Sequence, residues 1–331
     1  MQKLPRFMMQ EKRFQHTDLA AGILILWIII FHAINGCKVF GTTDARVALP
    51  YLTFSMPWFF YKSGQFYKAD GSVRKDVRKL LLPFLLWSGI GYSIYLAVLF
   101  FSGSLSLETA VTDVAHTFYI YGYIPVNVPA WFVLSLFFVR VIGRWIVRHS
   151  VPPLVCIAAG TAFGYVFHLL DNPHLPFWAA NIVMGVVFYL TGYKFSAYEN
   201  NPWLRIVCFG GYAAFLLFGC SIVGHHRNVL LTGHYLMWPL FAYCGIVTFN
   251  TLCRWLDTAL SSCALKGVRP VTFVGRHTMT ILITHAFVYF PIQRLSPLSP
   301  WQNVGLIILG YVLLLVPLLL LKRKKAAGFL P

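Results

Sequence analysis

Asp18-Leu19-Ala20-Ala21-Gly22-Ile23-Leu24-Ile25-Leu26-Trp27-Ile28-Ile29-Ile30-Phe31-His32-Ala33-Ile34-Asn35-Gly36 is the stretch on which the fold turns. No charged side chain stands between Asp18 and His32. At about 1.5 Å per residue the run is long enough to cross about 30 Å of hydrocarbon as a helix. Asp18 sits where an N-cap belongs, and Gly22 admits a close helix neighbour. Apolar runs recur outward from this one, near 49–67, 80–101, 128–147, 151–169, 175–195, 203–223, 230–252, 271–293 and 302–321. A backbone in lipid must satisfy its own hydrogen bonds, so such runs form helices. A membrane β-barrel would show short alternating strands, and the sequence has none.

Composition agrees. Hydrophobic residues make up 58% of the 331 residues and charged residues 11%, against about 25% charged in soluble domains. The expected fold is all-α: a polytopic membrane bundle of about ten transmembrane helices. It forms one domain over residues 1–331, with short basic tails at 1–17 and 322–331. The first tail is polar and no small-residue cleavage site follows the first apolar run. That run is therefore expected to remain as a helix.

The charges orient the bundle. With the N-terminus inside, about twenty Lys and Arg fall in the tails and cytoplasmic loops, following the positive-inside rule. The outer loops hold Lys38, Arg46, Arg227 and Arg294, and the loop 102–127 has no Lys or Arg. Both termini are thus expected in the cytoplasm. The net charge of +17 reads as a basic cytoplasmic face, with no nucleic acid as partner. The seven cysteines form no CxxC pair, so neither a disulfide framework nor a metal site is expected.

Ionisable residues inside membrane spans are costly and mark function. His32 stands near the outer end of the first helix, where it either takes a proton from a hydroxyl or bridges two helices. Lys62, in the second run, either lines a wet cavity or snorkels to the interface. Arg74, Arg78 and Lys79 cluster before Leu80-Leu-Leu-Pro83. They suit a polyanion such as a nucleotide phosphate, or they anchor the helix against anionic lipid. Arg276, His277 and His285 give the ninth run a polar side, as cavity lining or as an interhelical seam.

Six segments, in order, resemble acyltransferase family three, the bacterial integral-membrane O-acyltransferases. They are Asp18-Leu19-Ala20-Ala21-Gly22-Ile23 with His32; Met56-Pro57-Trp58-Phe59-Phe60-Tyr61-Lys62-Ser63-Gly64-Gln65-Phe66; and Arg78-Lys79-Leu80-Leu81-Leu82-Pro83-Phe84. Trp131-Phe132 through Leu136-Phe137, Phe188 through Gly192-Tyr193, and Val274-Gly275-Arg276-His277-Thr278 to His285 complete the set. The resemblance covers nearly the whole chain. It implies an acetyl-CoA-dependent O-acetyltransferase of the bacterial cytoplasmic (inner) membrane, acting on a surface glycan or its lipid-linked precursor. It implies His32 as catalytic histidine, and Arg74, Arg78 and Lys79 at the CoA phosphates, with Ser63 and Trp131 also in the acetyl-CoA site. Arg276, His277 and His285 would line the cavity.

Three positions depart from the family pattern. The basic residue eleven positions before the histidine is Ala21 here. Lys62 stands where the family is apolar, and Gln65 where it is often aromatic. Lys62 is therefore expected to supply the missing cation from the neighbouring helix. Two other classes remain open on the sequence: a polysaccharide transporter or flippase using the same polar cavity, and a catalytically degenerate family member.

Overall fold

The structure is a computed structural model that describes residues 15–41, 50–170, 174–218, 237–262, 269–295 and 298–323. Among the described residues every regular element is a helix, joined by turns and short irregular segments, and none is a strand. The helices are α1 (Gln15–Gly36), α2 (Ser55–Gln65), α3 (Val73–Phe101), α4 (Asp113–Tyr121), α5 (Ala130–Arg148), α6 (Pro153–Leu170), α7 (Phe177–Phe195) and α8 (Pro202–Leu217). Then come α9 (Met237–Ser262), α10 (Arg269–Arg276), α11 (Thr278–Thr284), α12 (Ala286–Leu295) and α13 (Pro300–Arg323). Four of them, α1, α3, α5 and α6, are long and apolar enough to cross a membrane. Large apolar side chains stand exposed on α3 (Leu85, Val98, Phe101) and on α6 (Val155, Val166, Leu169). So much bare apolar surface suits lipid and not water.

Each expected apolar run has a helix in it, with informative differences. The second run is helical only from Ser55, after a 3-10 turn at Pro50–Leu52. Pro57 explains the start: in the first turn of a helix its missing N–H has no partner to lose. The eleven residues of α2 rise only about 16 Å, half the hydrocarbon thickness.

The segment 102–127, expected as a loop, holds a helix. Ser106 N–H donates to Thr109 Oγ1 at 3.0 Å, and Thr109 N–H donates back to Ser106 Oγ at 3.1 Å. This reciprocal cap starts a wide π turn at Glu108–Thr112 that runs into α4. Gly122, at φ 73°, ends it in the left-handed conformation.

In α3 the Ser72 side chain caps the start by accepting from Lys75 N–H. Pro83 has no N–H, and its ring would crowd the Lys79 carbonyl four residues earlier. The chain answers with a π turn at Val77–Leu81, where Leu82 N–H reaches back five residues to Val77 O. Such turns cluster at functional sites.

Two glycine pairs set the crossings. Gly22 of α1 meets the Val271 carbonyl of α10, and Gly275 of α10 meets the Asp18 carbonyl. Gly64 of α2 meets the Tyr189 carbonyl of α7, and Gly192 of α7 meets the Tyr61 carbonyl. A Cβ at any of the four would collide with backbone, so the small residue is what lets these helices touch. Around the crossings lies one apolar core that includes Leu24, Ile25, Trp58, Phe60, Phe132 and Phe241.

Candidate active site

Two cavities share their walls. The larger, about 460 Å³, opens between α3, α5 and the α10–α11 corner. Arg78, Lys79, Arg140, Arg276 and His277 give it a basic side; Leu80, Pro83, Trp87, Val133 and Ile283 give it an apolar one. The smaller, about 80 Å³, is lined by Trp27, Phe31, His32, Thr53, Ser55, Met56, Trp131 and Leu282. On α5, Trp131 faces the small cavity and Val133 the large one. On α11, Leu282 and Ile283 divide in the same way.

The π turn brings the consecutive residues Arg78 and Lys79 to the large cavity. Asp76, fully buried just before it, holds two arginines of α5. Arg140 Nη2 lies 3.1 Å from Asp76 Oδ1, and Arg144 Nη2 bonds Asp76 Oδ2. Arg144 is buried with the carboxylate, whereas the Arg140 side chain is 35% exposed and reaches the cavity. Arg148 fastens the preceding turn, donating to the Ala69 and Gly71 carbonyls at 3.1 and 2.8 Å. Opposite, Arg276 Nε donates to Asp18 Oδ2 at 2.9 Å. A cavity that gathers four cations around an apolar floor can take a polyanion with an apolar tail.

Helix α11 is set off by breaks at His277 and His285. His277 Nδ1 lies 2.8 Å from Phe273 O, and His285 Nδ1 lies 2.7 Å from Leu282 O. In an unbroken helix Leu282 O would serve Ala286 N–H; the His285 ring takes it instead, and the helix stops.

The residues singled out in the sequence thus separate. Arg78, Lys79, Arg276 and His277 come together in the large cavity, and His32 with Trp131 in the small one. Arg74 is exposed and lines neither; Ser63, beside the Gly64 crossing, lines neither. His285 is 2% exposed and stands behind His32, with ring centroids 5.3 Å apart, lining neither cavity. Sequence reading passed over Arg140 and Asp76. Arg140 lies inside an apolar span, where the rule that picked out Lys62 applies equally.

Lys62 is buried and turned away from lipid, but it is not brought to His32. Its ammonium donates to Gln65 Oε1 at 2.7 Å and lies 5.6 Å from the Trp58 ring centroid. The two unusual residues of α2 are therefore each other's partners. Trp58 Nε1 donates to Asn250 Oδ1 at 2.8 Å, Asn250 Nδ2 to Glu199 Oε1 at 3.1 Å, and Arg254 pairs with Glu199 Oε2 at 2.8 Å. His16, at the start of α1, faces this cluster, Lys62 included. His32 is sixteen residues further along, about 24 Å by helical rise. Lys62 shares the Ala21 half of α1, yet the cation that both touches α1 and lines a cavity is Arg276. His225 and His226, in a loop of the sequence between apolar runs, and His234, in the run near 230–252, lie outside the described residues.

A family model described as an acyltransferase domain matches residues 17–323. No curated protein and no solved structure matches the chain.

Proposed function

The chain belongs to acyltransferase family 3, and from that premise we propose that it is a membrane O-acetyltransferase, taking acetyl from cytoplasmic acetyl-CoA to a hydroxyl of a surface glycan or its lipid-linked precursor. The observation that carries this reading is the placement of a four-cation cavity and a cavity lined by His32 on two sides of shared walls, α5 and α11. Arg78, Lys79, Arg140 and Arg276 suit the CoA phosphates. From Asp18, which holds Arg276, to His32 is about 21 Å along α1, a span that an extended pantetheine arm covers. Trp87, Val133 and Ile283 offer it an apolar path.

In this reading the thioester carbonyl rests near His32 and Trp131. His32 takes the proton from the acceptor hydroxyl as its oxygen bonds to the acetyl carbonyl carbon. The carbon–sulfur bond then breaks, and the CoA thiolate leaves with the proton returned by His32. Alternatively His32 carries the acetyl briefly itself. The apolar runs of the sequence support a bundle of about ten membrane-embedded helices, and its charge distribution supports the basic cavity mouth and both termini on the cytoplasmic side of the bacterial inner membrane.

The test is transfer of labelled acetyl from acetyl-CoA into polysaccharide in host membranes. Wild type transfers label, and His32→Ala and the double variant Arg78→Ala/Lys79→Ala do not, while both elute as folded protein in detergent. A wild-type protein that binds acetyl-CoA but transfers nothing would sink the reading in favour of a degenerate family member. Glycan movement without CoA binding would favour a flippase.

A further inference from the structure

A third cavity, about 520 Å³, is cut into the bundle between other helices. Its walls include Ile157 of α6, Val187 and Thr191 of α7, Leu204 of α8, and Leu240 and Tyr243 of α9. None of these helices lines the two cavities described above. Thr191 spends its hydroxyl inside α7, donating to Val187 O at 2.8 Å. The helix faces beside the cavity belong to lipid: Val155 and Val166 of α6 stand exposed, as do Ile206, Val207 and Phe209 of α8. An opening among such faces looks onto acyl chains.

One end of this cavity lies at the membrane surface. It reaches Tyr198 and Asn201, in the turn between α7 and α8. Tyr198 and Trp203 are exposed there, and exposed Tyr and Trp at helix ends mark the headgroup level. Two cations stand at the same end. Lys194 is exposed and follows Val187 and Thr191 by seven and three residues, so it continues their stripe along α7. Arg205 stands one turn after Asn201 on α8. Its Nε donates to Glu199 O at 2.7 Å and its Nη2 to Asn200 Oδ1 at 3.0 Å, which fixes the guanidinium on the turn. The acidic side chain of that turn, Glu199, is buried and paired with Arg254. The mouth therefore keeps a positive balance. From Lys194 back to Val187 is about 11 Å along α7, roughly two-thirds of the hydrocarbon depth of one leaflet.

We propose that this cavity binds an anionic phospholipid, with one acyl chain along Val187, Thr191 and Leu240 and the phosphate at Lys194 and Arg205. The proposal needs the membrane and does not rest on acetyl transfer. An acyl chain gains no hydrophobic free energy by leaving the bilayer for an apolar cavity, so the headgroup decides which lipid stays. A basic residue beside the membrane surface gives about fivefold in affinity for anionic lipid, and two give about twenty-five-fold. A lipid held between α6, α7, α8 and α9 binds only the folded bundle and so stabilises it.

The test uses full-length protein in detergent, stripped of native lipid, with phosphatidylglycerol or phosphatidylethanolamine added back. Native mass spectrometry counts the retained lipid, and a thermal scan reads the midpoint. Wild type keeps one phosphatidylglycerol about twenty-five-fold better than phosphatidylethanolamine and gains more in midpoint from it. Lys194→Gln cuts that preference about fivefold. Thr191→Phe fills the cavity and loses the retained copy. If Thr191→Phe fails to fold, Leu240→Trp, on a side chain exposed at the rim, decides in its place. Equal retention of the two lipids, an undiminished preference in Lys194→Gln, or a retained copy in the filled variants overturns the proposal. Recovery of a lipid-linked glycan in place of phosphatidylglycerol from protein purified with host lipid also overturns it, and gives the cavity to the acceptor.

Discussion

Arg276 and Asp18, 258 residues apart in sequence, meet through a hydrogen bond of 2.9 Å from Nε to Oδ2. The pair lies at the crossing of α1 and α10, where Gly275 rests on the Asp18 carbonyl. The Arg276 side chain is 44% exposed and also lines the large cavity. An ion pair that open to its surroundings contributes about 0–1 kcal/mol to stability. Asp18→Asn should therefore move the thermal midpoint little and, by releasing Arg276, change KM for acetyl-CoA several-fold. A large drop in midpoint with KM untouched would make the pair a strut only.

The basic rim can be dissected by binding. Charge-assisted hydrogen bonds to phosphate contribute about 1.5–3 kcal/mol each. Removing Arg78, Lys79 or Arg140 should each weaken acetyl-CoA binding about tenfold or more in isothermal titration. Arg74→Ala, on an exposed side chain outside the cavity, should bind as wild type. Loss of binding in Arg74→Ala equal to that in Arg78→Ala would move the phosphate site toward the surface.

Asp76 should act through Arg140. Asp76→Asn keeps the shape but leaves the buried Arg144 with no countercharge, and breaking one side of a buried pair costs about 3–5 kcal/mol. The expected result is a clear fall in thermal midpoint together with weaker acetyl-CoA binding. Arg140→Ala should reproduce the binding loss with less of the instability, because Arg140 is the more exposed arginine of the two.

Lys62 makes the opposite kind of prediction. Its partners are Gln65 and the Trp58 ring, and it lines neither cavity. Lys62→Met should leave KM for acetyl-CoA and kcat close to wild type. Glu199→Gln, by contrast, strips the countercharge from Arg254 and should lower stability markedly. A folded Lys62→Met protein without transfer activity would return Lys62 to the chemistry, as the cation that Ala21 lacks.

The glycine crossings are a test of the fold. Gly64→Leu and Gly275→Val each drive a side chain into the backbone of a neighbouring helix. Overpacking of this kind costs about 1–3 kcal/mol where neighbours can shift, and a facing carbonyl cannot shift far. Both variants should melt early or fail to insert, which detergent thermal scans would read directly. Gly89→Ala, with open space around it, is the control.

The sequence by itself determined the helices, because a membrane leaves the backbone only the helix or the closed barrel, and long apolar runs without alternation exclude the barrel. Apolar run length alone was enough to mark out Gln15–Gly36 or Ala130–Arg148. The sequence also marked His32 as an imidazole inside a span that lipid would not tolerate without a reason, and Arg78, Lys79 and Arg276 as cations at the entrances of helices. What length and hydropathy miss is anything made by local backbone chemistry, and some of that was nonetheless written in the residues. Ser106 and Thr109 announced a helix cap, Pro83 called for a wider turn, and Arg140 was an ion inside a span. Other features were decided only by the tertiary structure. Arg74 and Arg78, four apart, share a face in a regular helix, and the π turn between them changes that register. Lys62 and His32 stand on adjacent segments of sequence, but the axial length of α1 keeps them apart. His285 comes to lie behind His32 because glycine crossings near the other end of α1 press α10 against it and α11 follows. Such relations depend on which helix faces which neighbour at what depth, and hydropathy, which reports only that a residue prefers lipid to water, carries no information about them.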